Sequence, residues 1–225
     1  MADAQFLSDR QSTTVSTNKV LRNTYLLLSM TLLFSAAMAG VAMATNAPYM
    51  GWLPLIISLG LLFAISKMRN SPWGIVLVFA FTGILGFSVG PIVNFYMQTA
   101  GGSQTVLTAL SLTGVIFLSL SGYTLVTQKD FSFMGGFLMT GLWVVIGAVL
   151  LSLVGGFLGI YISGLQLAIS AAIVMLMSGL ILYDTSQIIH GGETNYIMAT
   201  VSLYLSIYNL FLSLLHLLNF FGGND

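Results

Sequence analysis

The chain has 225 residues, of which 57% are hydrophobic and 5% charged, with a formal net charge of zero and no cysteine. A soluble domain of this size carries about a quarter charged residues, so the composition excludes a soluble domain and points to an integral membrane protein. Zero net charge argues against binding a nucleic-acid backbone, and the absence of cysteine removes disulfides, thiolate metal sites and thiol catalysis.

Residues 1–20 form a polar arm that includes Asp9, Arg10 and Lys19 among Ser and Thr. Its layout is not the basic-then-apolar order of a cleaved signal peptide. A helix needs roughly 20 apolar residues to cross the hydrocarbon core. Apolar runs between polar breaks give seven spans: Leu21–Ala44, Pro48–Ser66, Trp73–Met97, Thr105–Val126, Phe133–Gly155, Ser163–Ile189 and Tyr196–Phe221. The expected fold class is an all-α integral membrane protein, a seven-transmembrane-helix bundle. Residues 1–20 are the arm and 21–225 a single transmembrane domain.

Basic residues set the orientation. Arg10, Lys19 and Arg22 precede or open span one, Lys67 and Arg69 follow span two, and Lys129 follows span four. The positive-inside rule makes that side the cytoplasm, with the N-terminus cytoplasmic and the C-terminus outside, as seven spans require. Tyr25, Tyr49, Trp52, Trp73, Tyr96, Tyr161 and Tyr196 fall near span ends, where interfacial anchors belong.

In span three, "FTGILGFSVGPIVN" puts Gly83, Gly86 and Gly90 near one helical face, followed by Pro91. Small residues let helices approach closely in lipid, and proline removes a backbone hydrogen bond and kinks a helix. The stretch reads either as tight packing or as a kinked helix that moves.

Span six ends in "ILYDTSQIIHGGETNY". Asp184 lies six residues before His190, about 9 Å inside the helix end. An intramembrane carboxylate is a functional candidate by default, and its protonation is coupled to helix packing. Span seven carries Ser202, Ser206, Asn209, Ser213 and His216 at spacings of 4, 3, 4 and 3, a single polar seam. The two spans are expected to form a hairpin with Asp184 near Ser202 and Ser206, as either a conformational latch or polar glue between helices. His190, Gly191, Gly192 and Glu193 form a tight cytoplasmic turn, in which Glu193 is placed to cap span seven. The spacing of Asp184, His190 and Glu193 matches no metal pattern, so no metal or cofactor is expected. Catalytic motifs are missing. Ser178 and His216 lie at dissimilar depths, which argues against a Ser–His hydrolase.

The segments "KVLRNTY" (19–25), "FTGILGFSVGPIVN" (81–94), "ILYDTSQIIHGGETNY" (181–196) and "SLYLSIYNLFLSLL" (202–215) resemble the Bax inhibitor-1 (transmembrane Bax inhibitor motif) family across essentially the whole chain. The resemblance implies seven helices, one enclosed by the other six. It is nearest to the branch of bacterial inner-membrane modulators of the FtsH protease. That branch implies a non-enzymatic regulator whose partner is a membrane-anchored AAA+ protease of the FtsH type, in the lipid bilayer and without nucleic acid. Asp9, Arg10 and Lys19 would then belong to a protease-engaging arm. The alternative implied by other members is a pH-sensitive calcium or proton leak gated by an aspartate pair. Asp184 matches the first aspartate, but the second position is Ser206, so a shared-proton dyad cannot form there. A single-aspartate latch remains.

Overall fold

The structure, a computed structural model, describes residues 2–99, 101–160 and 164–222, with side chains from Thr17 onward. Tyr161 and the side chains of Asp9 and Arg10 therefore lie outside the described residues. The helices are α1 (Ala2–Ala44), α2 (Leu53–Met68), α3 (Pro72–Met97), α4 (Gly102–Thr127), α5 (Gly135–Phe157), α6 (Leu165–Ile189) and α7 (Tyr196–Gly222), with a short 3-10 turn at Ser132–Met134. Six helices among the described residues are long and apolar enough to cross a membrane, and α2 is a shorter apolar helix. The seven-helix, all-α expectation holds.

Two boundaries differ from the sequence reading. The first helix does not begin at Leu21: its backbone is helical from Ala2, and its apolar span opens at Thr17. Extending a helix from an existing nucleus costs far less than starting one, so polar residues can follow. The second helix does not begin at Pro48 but at Leu53, because Asn46 and Gly51 both have positive φ, 49° and 58°, and break the chain's helical path. Pro54 then sits in the first turn, where its missing N–H costs nothing.

The chain divides into two compact units. The first comprises Met1–Asn94 and Gln187–Tyr204. Within it, the glycine face of α3 lies directly on α1. A Cβ at Gly83 would stand 2.7 Å from the Phe34 ring, one at Gly86 would overlap the Ser35 carbonyl, and one at Gly90 would reach Ala42 and the Ala39 carbonyl. The contact positions rise together along both helices, so α1 and α3 run parallel, and α2 must carry the chain back between them. α7 enters with Ile197 against Gly74 and Thr200 against the Thr24 carbonyl. Leu28, Ile65, Val78, Phe81, Leu203 and Tyr204 fill the core.

The second unit comprises Phe95–Ser186 and Leu205–Asp225. Here Gly135 meets Tyr183, Leu138 meets Gly179, and Gly141 meets Leu176. The order is reversed, so α5 and α6 are antiparallel. Only 11% of the apolar window of α5 is buried, against 50% for α7. α5 is therefore the lipid-facing extreme, and α7 is the helix the protein covers most.

Candidate functional site

In the second unit, α6 approaches its end with Asp184 half-buried and Thr185 and Ser186 fully buried. Two hydroxyls at that depth need partners. Thr185 Oγ1 points at Ser121 Oγ on α4 at a long 3.4 Å. Ser186 Oγ accepts the Phe131 N–H at 2.9 Å and lies 3.4 Å from the Lys129 carbonyl. Asp130 accepts the Ser132 N–H at 2.8 Å, which starts the 3-10 turn before α5. The α4–α5 loop is thus pinned to α6 two residues beyond Asp184. Lys129 donates to the Tyr123 hydroxyl at 2.9 Å, and this bond holds its ammonium above the ordinary lysine value.

Along α7 in the same unit, Ser206 and Ser213 are buried and Asn209 is half-buried. Asn209 turns its amide back on the Leu205 carbonyl at 2.8 Å. His216 Nδ1 lies 2.8 Å from Ser170 Oγ on α6. Ser170 Oγ also lies 2.9 Å from the Gln166 carbonyl, so it joins α7 to the backbone of α6. Ser178 donates to the Val174 carbonyl at 2.7 Å.

The first unit contains the turn between α6 and α7. Gly191 adopts φ 76°, a left-handed helix stop. The N–H groups of Gly192 and Glu193 return to the Gln187 carbonyl at 2.8 and 3.1 Å. A side chain at Gly192 would collide with the Gln187 amide. His190 is exposed. The helix cap differs from expectation: Asn195, not Glu193, closes the start of α7, its Oδ1 accepting the Ile197 and Met198 N–H groups at 3.1 Å each. The Glu193 carboxylate instead accepts the Asn195 N–H at 2.7 Å. A side chain at the N-cap position has the right reach to the second and third helical amides, whereas Glu193 stands two residues too early.

Asn195 has a second task. Its Nδ2 donates to the Arg69 carbonyl at 3.1 Å and to Asn70 Oδ1 at 2.9 Å, tying the α6–α7 turn to the α2–α3 turn. Deeper in this unit Tyr204, 1% exposed, bonds Ser35 and the Thr82 carbonyl. Ser202 lies on α7 in this unit and is half-buried. Asp184 and Ser202 each take part in a polar interaction. The sequence reading missed Asn195, Tyr204 and Ser186. An asparagine just before an apolar run is a cap signal, and a tyrosine in mid-span needs a buried partner; both signals were present.

These features define a multi-pass helical membrane protein with buried hydroxyl clusters and hydrogen-bonded turns. The family model described as "Inhibitor of apoptosis-promoting Bax1" matches residues 17–223, and the chain belongs to that family. It is 47% identical over 216 residues to the "Modulator of FtsH protease YccA" of Escherichia coli K12, covering 95% of each chain. An uncharacterized protein of Pseudomonas aeruginosa is 50% identical over 207 residues, covering 92% of this chain and 91% of its own. An uncharacterized membrane protein of Vibrio cholerae is 47% identical over 214 residues, covering 94% of each chain.

Proposed function

We propose that this chain is an inner-membrane regulator that binds a membrane-anchored AAA+ protease of the FtsH type and slows its degradation of other membrane proteins. The observation that carries the reading is the 47% identity to the FtsH modulator over 95% of both chains. The orientation belongs to the same proposal. Lys67 and Arg69 flank the turn tied to Asn195, and Lys129 opens the loop tied to Ser186. By the positive-inside rule these loops face the cytoplasm, where the protease domain works. The N-terminal arm is then the handle. As the start of α1, residues 2–20 form a helical arm of about 30 Å. Asp184 acts as a latch with Ser206, so that its protonation biases helix packing.

The test is a pull-down from detergent-solubilised membranes, comparing the full chain with a version lacking residues 2–18. Recovery of an AAA+ membrane protease with the full chain, and its loss on truncation, is the expected result. Full-length chain that captures no protease and leaves protease turnover unchanged overturns the reading. Asp184-dependent ion flux in liposomes under those conditions would put the leak alternative in its place.

A further inference from the structure

We propose that the outer face of α2, with the cations at its end, seats an anionic phospholipid. The helix is short. Its 16 residues span about 24 Å, less than the roughly 30 Å hydrocarbon core. Because α1 and α3 run parallel, α2 nevertheless has to cross between their opposite ends. A bilayer meets such a short segment by thinning, which draws headgroups inward along it.

The side chains on α2 are arranged for what arrives there. Pro54, Ser58 and Ile65 are buried on one side of the helix. Ile56, Leu59 and Phe63 form a stripe on the opposite side, 64%, 58% and 67% exposed. The next residue of that stripe is Lys67, whose ammonium stands 5.5 Å over the Phe63 ring. An apolar track that ends in a fixed cation matches an acyl chain that ends in a phosphodiester. The cation is also placed by an aromatic face rather than left to wander.

Between residues 17 and 94 the charge is one-signed. Arg69 is exposed beside Lys67, while its carbonyl is held by Asn195. One turn into α7, Thr200 bonds the Thr24 carbonyl of α1. Exposed Arg22 and Lys19 lie two and five residues before Thr24, about 3 and 8 Å further towards that end. Residues 17–94 contain no Asp or Glu. Glu193, the one acid in 187–204, is already bonded to the Asn195 N–H. Lys19, Arg22, Lys67 and Arg69 are thus four exposed cations within a stretch, residues 17–94, that carries no acid; Asp3 and Asp9 lie ten or more residues before Lys19 on α1. Trp73, 62% exposed at the start of α3, supplies an interfacial anchor next to them. Anionic headgroups gain about five-fold in binding for each such cation near the surface.

The experiment is native mass spectrometry of the purified, delipidated full chain with added phosphatidylglycerol, phosphatidylcholine or inorganic phosphate. The expected result is retention of phosphatidylglycerol over phosphatidylcholine. Lys67→Gln with Arg69→Gln should weaken that retention about 20-fold, and Lys67→Arg should preserve it. Lys129→Gln, in the other unit, should leave it unchanged. Phe63→Ser should weaken phosphatidylglycerol without creating phosphate binding. Equal retention of the two lipids, displacement by millimolar phosphate, or wild-type retention by the double variant each overturns the proposal. Circular dichroism and size exclusion of each variant separate lost binding from lost fold.

Discussion

The Tyr204 hydroxyl on α7 and the Ser35 hydroxyl on α1 are hydrogen-bonded at 2.6 Å, with both side chains buried. Tyr204 also donates to the Thr82 carbonyl on α3 at 3.3 Å, so one phenol joins three helices of the first unit. Replacing Tyr204 by Phe keeps the ring packed on Phe81 and removes only the oxygen. Ser35 can turn its hydroxyl back to its own helix, which limits the loss. The expected cost is about 1 kcal/mol, in line with hydrogen bonds measured inside membranes, read as a lower unfolding midpoint in detergent. A midpoint equal to wild type would show that the three-helix bond contributes nothing net.

The glycines of α3 separate by what lies opposite. At Gly86 the obstacle is the Ser35 backbone carbonyl, which cannot rotate away, whereas at Gly83 it is the end of the Phe34 ring. Gly86→Ala should destabilise by about 3 kcal/mol and Gly83→Ala by about 1 kcal/mol, as overpacking costs depend on what can yield. Gly147 on α5 has nothing within 4 Å of a new Cβ, so Gly147→Ala serves as the neutral control. Thermal melts of the three variants in one detergent rank them. Equal melting of Gly86→Ala and Gly147→Ala would contradict the close α1–α3 approach.

Asn195 combines a helix cap with a bridge between turns, and two substitutions split the roles. Asn195→Asp keeps an oxygen for the Ile197 and Met198 amides but loses the donor to Arg69 and Asn70. Asn195→Ala loses both and should cost about 1 to 2 kcal/mol through the cap alone. Hydrogen exchange over residues 190–200 should accelerate in the alanine variant. Exchange over 68–74 should accelerate in both. Protection of 68–74 that survives both changes would detach the two turns energetically.

For Asp184 the prediction follows from the proposed latch. Asp184→Asn removes titration while keeping size, so the dependence of protease-substrate turnover on pH should flatten between pH 5 and 8 with the fold intact. Turnover profiles of wild type and variant that superimpose across that interval would take Asp184 out of the mechanism.

Much of this could be read from single residues. Span positions were legible because the bilayer demands long apolar runs whatever the neighbours are, and α3, α4, α6 and α7 end within three residues of the expected limits. Span two was misplaced because Pro48 to Trp52 carries no charge to mark a break; positive φ at Gly51 sets the start. The cap went to Glu193 on a charge argument, although reach decides capping and favours Asn195.

The amino-acid order alone determined that the chain is a seven-helix membrane protein, which helices carry small or polar faces, and which loops hold the basic residues. These depend on local composition and a 3.6-residue period. Tertiary structure alone decided which face meets which: that Gly86 rests on Ser35, that Tyr204 joins α1 to α3, and that Ser170 is hydrogen-bonded to His216. Each of those pairs lies more than 40 residues apart in the chain. In lipid every helix offers several apolar faces of similar worth, so the choice among them falls to close packing and to the pairing of the few buried polar atoms.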